Sequence, residues 1–127
     1  MDNDRRSSDD KPTAPDGRSA RTGEAALNPN QIAQHAEIAK RGSDYLKTLA
    51  HPARLMILSH LSAKELSVAE IEQLIGARQA SVSQHLARLR SIDVVGSRRD
   101  GKAIYYTLAD DRARQLVAAV HEWFGDE

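Results

Sequence analysis

Ala77-Arg78-Gln79-Ala80-Ser81-Val82-Ser83-Gln84-His85-Leu86-Ala87-Arg88-Leu89-Arg90 is the stretch whose periodicity decides the fold. At 3.6 residues per turn, Val82, Leu86 and Leu89 fall on one side of a helix and form a single buried stripe. Gln79, Ser83, Gln84 and Arg88 then point elsewhere, and side chains of these types can pair with base edges or hold phosphates in a DNA major groove. Upstream, Gly76-Ala77-Arg78 is a short turn out of a second amphipathic helix, Val68 to Ile75, so the pair has the outline of a helix-turn-helix. Downstream, Val94 to Arg99 and Lys102 to Leu108 are β-type runs on either side of Asp100-Gly101, a pair suited to a two-residue hairpin that needs positive φ. A hairpin after such a helix is a wing.

Working outward, Ser67-Val68-Ala69-Glu70 fits a capping box that opens the supporting helix. His51-Pro52 ends one helix and begins another, with proline at the first helical position where its missing N–H costs nothing. Arg54, Leu55, Ile57, Leu58 and Leu61 belong to that core helix, which ends near Ser62-Ala63-Lys64. An Asn28 cap starts a long first helix through Ala50, with Ile32, Ala36, Ala39, Leu46 and Leu49 at near-helical spacing and a possible bend at Gly42-Ser43. Ala113, Leu116, Val117, Val120 and Phe124 repeat that spacing in a last helix, Asp111 to Phe124. A first helix this apolar needs a partner, and the last helix offers one.

Composition narrows the class. The chain has 127 residues, 40% of them apolar but only 4% aromatic, so its core must be built from Leu, Ile, Val and Ala, which favours helices. Eighteen basic residues balance 18 acidic ones, and bulk charge therefore announces no polyanionic partner. Between Gly76 and Lys102, however, Arg78, Arg88, Arg90, Arg98, Arg99 and Lys102 face only Asp93 and Asp100, and a concentrated basic face binds phosphates even on a neutral protein. Residues 1–28 mix Asp, Arg, Ser, Pro and Gly with few large apolar side chains, and read as a disordered tail preceding a single domain over 29–127. Arg5, Arg6, Arg18 and Arg21 could touch DNA from that tail, but its aspartates offset them, and a solvated leader is the simpler expectation. No stretch has the roughly 18 apolar residues of a membrane span, and a cytoplasmic location is expected.

From about Ala36 to Phe124 the chain resembles the ArsR/SmtB-type winged-helix transcriptional repressors. The resemblance is carried by Leu46-Lys47-Thr48-Leu49-Ala50-His51-Pro52-Ala53-Arg54-Leu55-Met56-Ile57-Leu58, by Ser83 to Arg90, and by Arg98-Arg99-Asp100-Gly101-Lys102-Ala103-Ile104-Tyr105-Tyr106. The wing looks most like the branch that holds the rhizobial nodulation-gene repressor and the persulfide-sensing biofilm repressors. What this implies is a mainly α fold with a two-stranded β-wing, dimerising through its first and last helices, with Ile32, Ala36, Ala39, Leu116, Val117, Val120 and Phe124 at the interface. It also implies a homodimer on double-stranded operator DNA, acting as a repressor. Gln79, Ser81, Ser83 and Gln84 are the base-edge candidates; Arg78, Arg88, Arg98, Arg99 and Lys102 are the phosphate candidates. His85 is either a contact at the flank of the recognition helix or a half-buried packing residue.

Two positions depart from the family pattern. Arg78 stands where relatives commonly place a Ser that caps the recognition helix, and Asp93 where a Gly commonly ends it in a left-handed turn. The family's sensory sites are also unmatched. Ser67 and Ala69 occupy the thiolate metal site, Asp110-Asp111-Arg112 lacks the first His of the zinc site on the last helix, and His121-Glu122 has the wrong spacing for the rest. The cysteines of the persulfide-sensing branch correspond to places near Ser59 and Gly125, and the chain has no cysteine at all. A regulator without thiol or metal sensing by its own residues, and without a cofactor, is therefore expected; the alternatives are a winged-helix protein-interaction module, or a repressor responding to a small ligand in a pocket between the terminal helices. His35, His51, His60, His85 and His121 lie on different elements with no ligand pair at i, i+4, and no nucleophile–base spacing or glycine-rich phosphate loop supports an enzyme.

Overall fold

The computed structural model describes residues 26–125; the expected tail, apart from its last residues, lies outside them. The described elements are α1 (Pro29–Leu49), α2 (Pro52–Ala63), β1 (Leu66–Ser67), α3 (Val68–Ile75), α4 (Gln79–Ser91), β2 (Val95–Asp100), β3 (Ala103–Leu108) and α5 (Asp111–Phe124). They fall into two units, one ending at Arg41 and one beginning at Gly42.

In the first unit the start of α1 is closed by a reciprocal pair of bonds. Asn28 Oδ1 accepts from the Gln31 N–H at 2.8 Å, and Gln31 Oε1 accepts from the Asn28 N–H at 3.0 Å. Helical structure continues through Gly42-Ser43. Large apolar side chains here remain in water: Ile32 is 56% exposed and Ile38 is 64% exposed.

The second unit holds the core. Val82, Leu86 and Leu89 of α4 are fully buried, as are Ile57 and Leu58 of α2, Leu49 at the end of α1 and Val94 before β2. Ile71 of α3 joins them at 1%. Each such side chain contributes about 1.5–3 kcal/mol relative to exposure, and no polar or charged group among the described residues is buried with them. The stripe read from α4 therefore seats that helix, leaving its other side to solvent.

Local chemistry explains the element ends. His51 has extended backbone and its Nδ1 accepts from the Ala53 N–H at 3.1 Å, so the side chain caps α2 just before Pro52. Ser67 and Glu70 form the full capping box of α3. Gly76, at φ +66, closes α3 in the left-handed conformation that glycine adopts without penalty. Asp93 does the same after α4 at φ +59. Arg78 caps α4 with no side-chain bond, so the weaker cap expected there is present.

The wing differs from expectation in two respects. Its sheet has three strands, in the order β1-β3-β2, because Leu66 pairs with Tyr106 and Ser67 with Tyr105. A two-residue strand is too short to show alternation in sequence. The hairpin register also pairs Asp100 with Ala103, which makes Gly101 and Lys102 the turn residues instead of Asp100 and Gly101. Among these only Gly101 has positive φ, at +65, the requirement of a type II′ turn. That register carries Lys102 to the tip of the wing.

Candidate nucleic-acid interface

Seating α4 through Val82, Leu86 and Leu89 leaves Gln79, Ser83, Gln84 and Arg88 exposed, as the spacing required. Arg78, immediately before the helix, is exposed too. Ser81 is half-buried on the flank and so is set back from the outer face. Across the surface, Gln79 of α4 and Lys102 of the wing border one recess, together with Glu72 and Tyr105. The fold thus brings the start of the recognition helix and the tip of the hairpin to one edge.

The basic residues are not equivalent. Arg99 and Lys102 are exposed on the outer hairpin. Arg98 is engaged instead: its Nε and Nη2 each lie 2.8 Å from a carboxylate oxygen of Glu65, and its guanidinium sits 4.7 Å over the Tyr105 ring. Glu65 raises the Arg98 pKa further, and Arg98 holds the Glu65 carboxyl below its usual range. A guanidinium forked onto a carboxylate has its charge already matched, so in this structure Arg98 ties the wing to the segment before β1. Arg90 is likewise occupied, donating to Ser97 Oγ and tying the end of α4 to β2.

His85 resolves toward packing. Its Nδ1 accepts from Arg54 Nε at 3.1 Å, its ring lies 4.5 Å from that of His51, and Arg54 also donates from Nη1 to the Thr48 carbonyl at 2.7 Å. Burial first, then the nearby His51 and Arg54, push its pKa below the ordinary histidine value. This neutral ring braces α4 against the first turn of α2. Two histidines that look scattered in sequence are brought together here.

Other contacts had no signal in the sequence. Tyr45 donates to Asp110 Oδ2 at 2.9 Å while Arg112 stacks 4.7 Å over the Tyr45 ring and pairs with Asp110 at 3.1 Å. Burial and that bond push the Tyr45 hydroxyl up to about 12. Against burial that would raise it, the bonds from Arg112 and Tyr45 hold the Asp110 carboxyl below its usual range. Ser59 Oγ and His121 Nε2 lie 2.8 Å apart, joining α2 to α5. No cluster of three or more His, Cys, Asp or Glu side chains suited to a metal ion occurs among the described residues.

The proposed dimer residues are distributed unevenly. Ile32, Ala36 and Ala39 are exposed on α1, and Phe124 is 60% exposed on α5. Leu116 and Val120 are half-buried. Val117 is 5% exposed and packs in the core of its own chain, so it is corrected from interface to core. Trp123, 63% exposed, joins the apolar surface of α5 although helical spacing did not single it out.

A helix-turn-helix whose second helix exposes amides, hydroxyls and a guanidinium beside a basic hairpin defines a winged helix-turn-helix DNA-binding protein. A family model described as a helix-turn-helix domain matches residues 49–98. The biofilm growth-associated repressor of Agrobacterium fabrum is 47% identical over 79 residues, 62% of this chain and 68% of that protein. Nodulation protein NolR of Rhizobium meliloti is 34% identical over 99 residues, 78% of this chain and 79% of that one. The solved structure of the transcriptional repressor BigR from Xylella fastidiosa superposes with a TM-score of 0.66 at 39% identity, covering 77% of this chain and 97% of that chain. The chain belongs to the ArsR/SmtB-type winged-helix transcriptional regulators, and DNA is its partner. No helix among the described residues is long and apolar enough to cross a membrane.

Proposed function

We propose that this chain is a cytoplasmic repressor that binds operator DNA as a homodimer, each α4 in a major groove and each wing on the adjacent backbone. The carrying observation is that Gln79, Ser83, Gln84 and Arg88 are exposed on α4 outside its buried stripe, with Lys102 on the same recess as Gln79. Gln79 and Gln84 suit bidentate pairing with adenine, and Ser83 a single base-edge bond. Arg78, Arg88, Arg99 and Lys102 hold phosphates. Dimerisation through α1 and α5 is supported by the apolar side chains that a single chain leaves in water, Ile32 and Ile38 on one helix and Trp123 and Phe124 on the other. The relatives are named as repressors, which favours repression over activation.

Regulation in this reading uses neither thiol nor metal chemistry of the chain's own residues. The chain contains no cysteine, and operator affinity should be the same after persulfide, peroxide, reductant or chelator. An operator recovered by selecting bound genomic fragments, then titrated by fluorescence anisotropy with each reagent, tests both parts. Failure to enrich any sequence removes the specific-binding reading; a tenfold loss of affinity under mild persulfide or zinc removes the regulatory one.

A further inference from the structure

The facing sides of α2 and α5 border a half-open cavity of about 350 Å³, inside the roughly 300–1,000 Å³ range of small-molecule sites. Leu55, Met56, Val117 and Val120 make its walls apolar, while Ser59, His60 and His121 gather at its polar side. The 2.8 Å contact between Ser59 Oγ and His121 Nε2 fixes those two groups relative to each other. An adjoining recess shares Ser59, Val117 and His121 and adds Arg114. One Arg114 nitrogen donates to the Ser62 carbonyl at 2.8 Å, and a guanidinium carries five N–H donors, so others remain for a guest. Among the described residues no carboxylate lines either recess. Asp111 lies 3.9 Å from Arg114 with its side chain 91% exposed.

An apolar wall, a hydroxyl and two imidazoles at the polar side, an adjoining cation and no lining acid among the described residues complement one kind of small molecule. We propose that the α2/α5 cavity binds a small organic carboxylate, its hydrocarbon body against Leu55, Met56, Val117 and Val120 and its carboxylate toward Ser59, His121 and Arg114. The site is separate from the DNA-binding residues, and its existence does not depend on them. Val120 is shared with the proposed dimer surface, so a second copy of the chain is the competing occupant.

The full chain should be titrated with straight-chain carboxylates from butanoate to decanoate and with the alcohols of equal length. Binding is read by calorimetry and by fluorescence of Trp123, the only tryptophan in the chain and two residues past His121, with sedimentation velocity at the same concentrations. We expect saturable binding that tightens about fourfold per added methylene until the cavity is full, and carboxylates at least about tenfold tighter than alcohols. Ser59→Ala and Arg114→Gln should each weaken carboxylate binding by about tenfold and leave alcohol binding unchanged, with folding of each variant checked by its thermal melt. Equal affinity for acids and alcohols, absence of saturable binding, or indifference to both substitutions would overturn the proposal. So would binding confined to monomeric chain in the sedimentation runs, since the second copy would then be the occupant.

Discussion

At position 78 an arginine caps α4 with its backbone alone. Arg78→Ser should supply the missing side-chain acceptor and raise stability by about 0.5–1 kcal/mol, while weakening binding to all duplexes because one phosphate is no longer held. A thermal melt paired with anisotropy on specific and random DNA checks both, and a destabilised variant contradicts the capping account. Gln84→Ala should relax preference at one base position per half-site by about 1–3 kcal/mol if its contact is bidentate; unchanged discrimination over single-base operator variants transfers that role to Gln79 or Ser83. His85 supplies a pH prediction. Its folded pKa is depressed by burial and by His51 and Arg54, so the unfolded chain takes up this proton first, near the ordinary value of 6.5. The stability held by the neutral ring is intact above about pH 6.5 and falls as pH drops below it toward the folded value. Chemical denaturation from pH 7.5 to 5.5 should show that loss in the native chain and a shallower one in His85→Gln. The faces of α4 were legible because a helical period sorts them. The braces were not: the partners of His85, Tyr45 and His121 lie 31, 65 and 62 residues away, and no local pattern encodes such pairings.

Elements show where chain chemistry and tertiary context divide the work. Capping boxes at Asn28 and Ser67 and left-handed ends at Gly76 and Asp93 follow from residue type within one turn of the helix, which is why helix ends could be placed from sequence. The wing could be placed but not its register, since Asp100-Gly101 and Gly101-Lys102 both offer a glycine to a tight turn and cross-strand pairing with β3 chooses between them. That choice changes the expected roles of its cations. Arg99→Ala with Lys102→Ala should lower the salt slope of DNA binding by about 0.9 for each phosphate that is no longer neutralised. Arg98→Ala should leave that slope unchanged and loosen the wing, seen as faster amide exchange in β2 and β3. A reduced slope for Arg98→Ala would mean that Glu65 releases the guanidinium to a phosphate.

For the whole molecule, the balance of 18 positive and 18 negative charges means that DNA attraction must come from placement, with Arg78, Arg88, Arg99 and Lys102 exposed around α4 and the hairpin. The same economy bears on assembly. Small domains bury a limited fraction of their surface, and Ile32, Ile38, Trp123 and Phe124 remain in water on one chain, so association with a second copy should add stability that depends on protein concentration. Sequence-specific binding through α4 and the wing is tested by an anisotropy titration of the full chain on its selected operator and on a scrambled duplex, from 50 to 200 mM salt, both limits set by the range over which phosphate-contact slopes are resolved. A dimeric winged-helix repressor should show one dimer per operator, an operator preference of roughly a thousandfold or more over scrambled DNA, and affinity falling linearly in log–log form with a slope of several units. Equal affinity for both duplexes, or binding indifferent to salt, would contradict it.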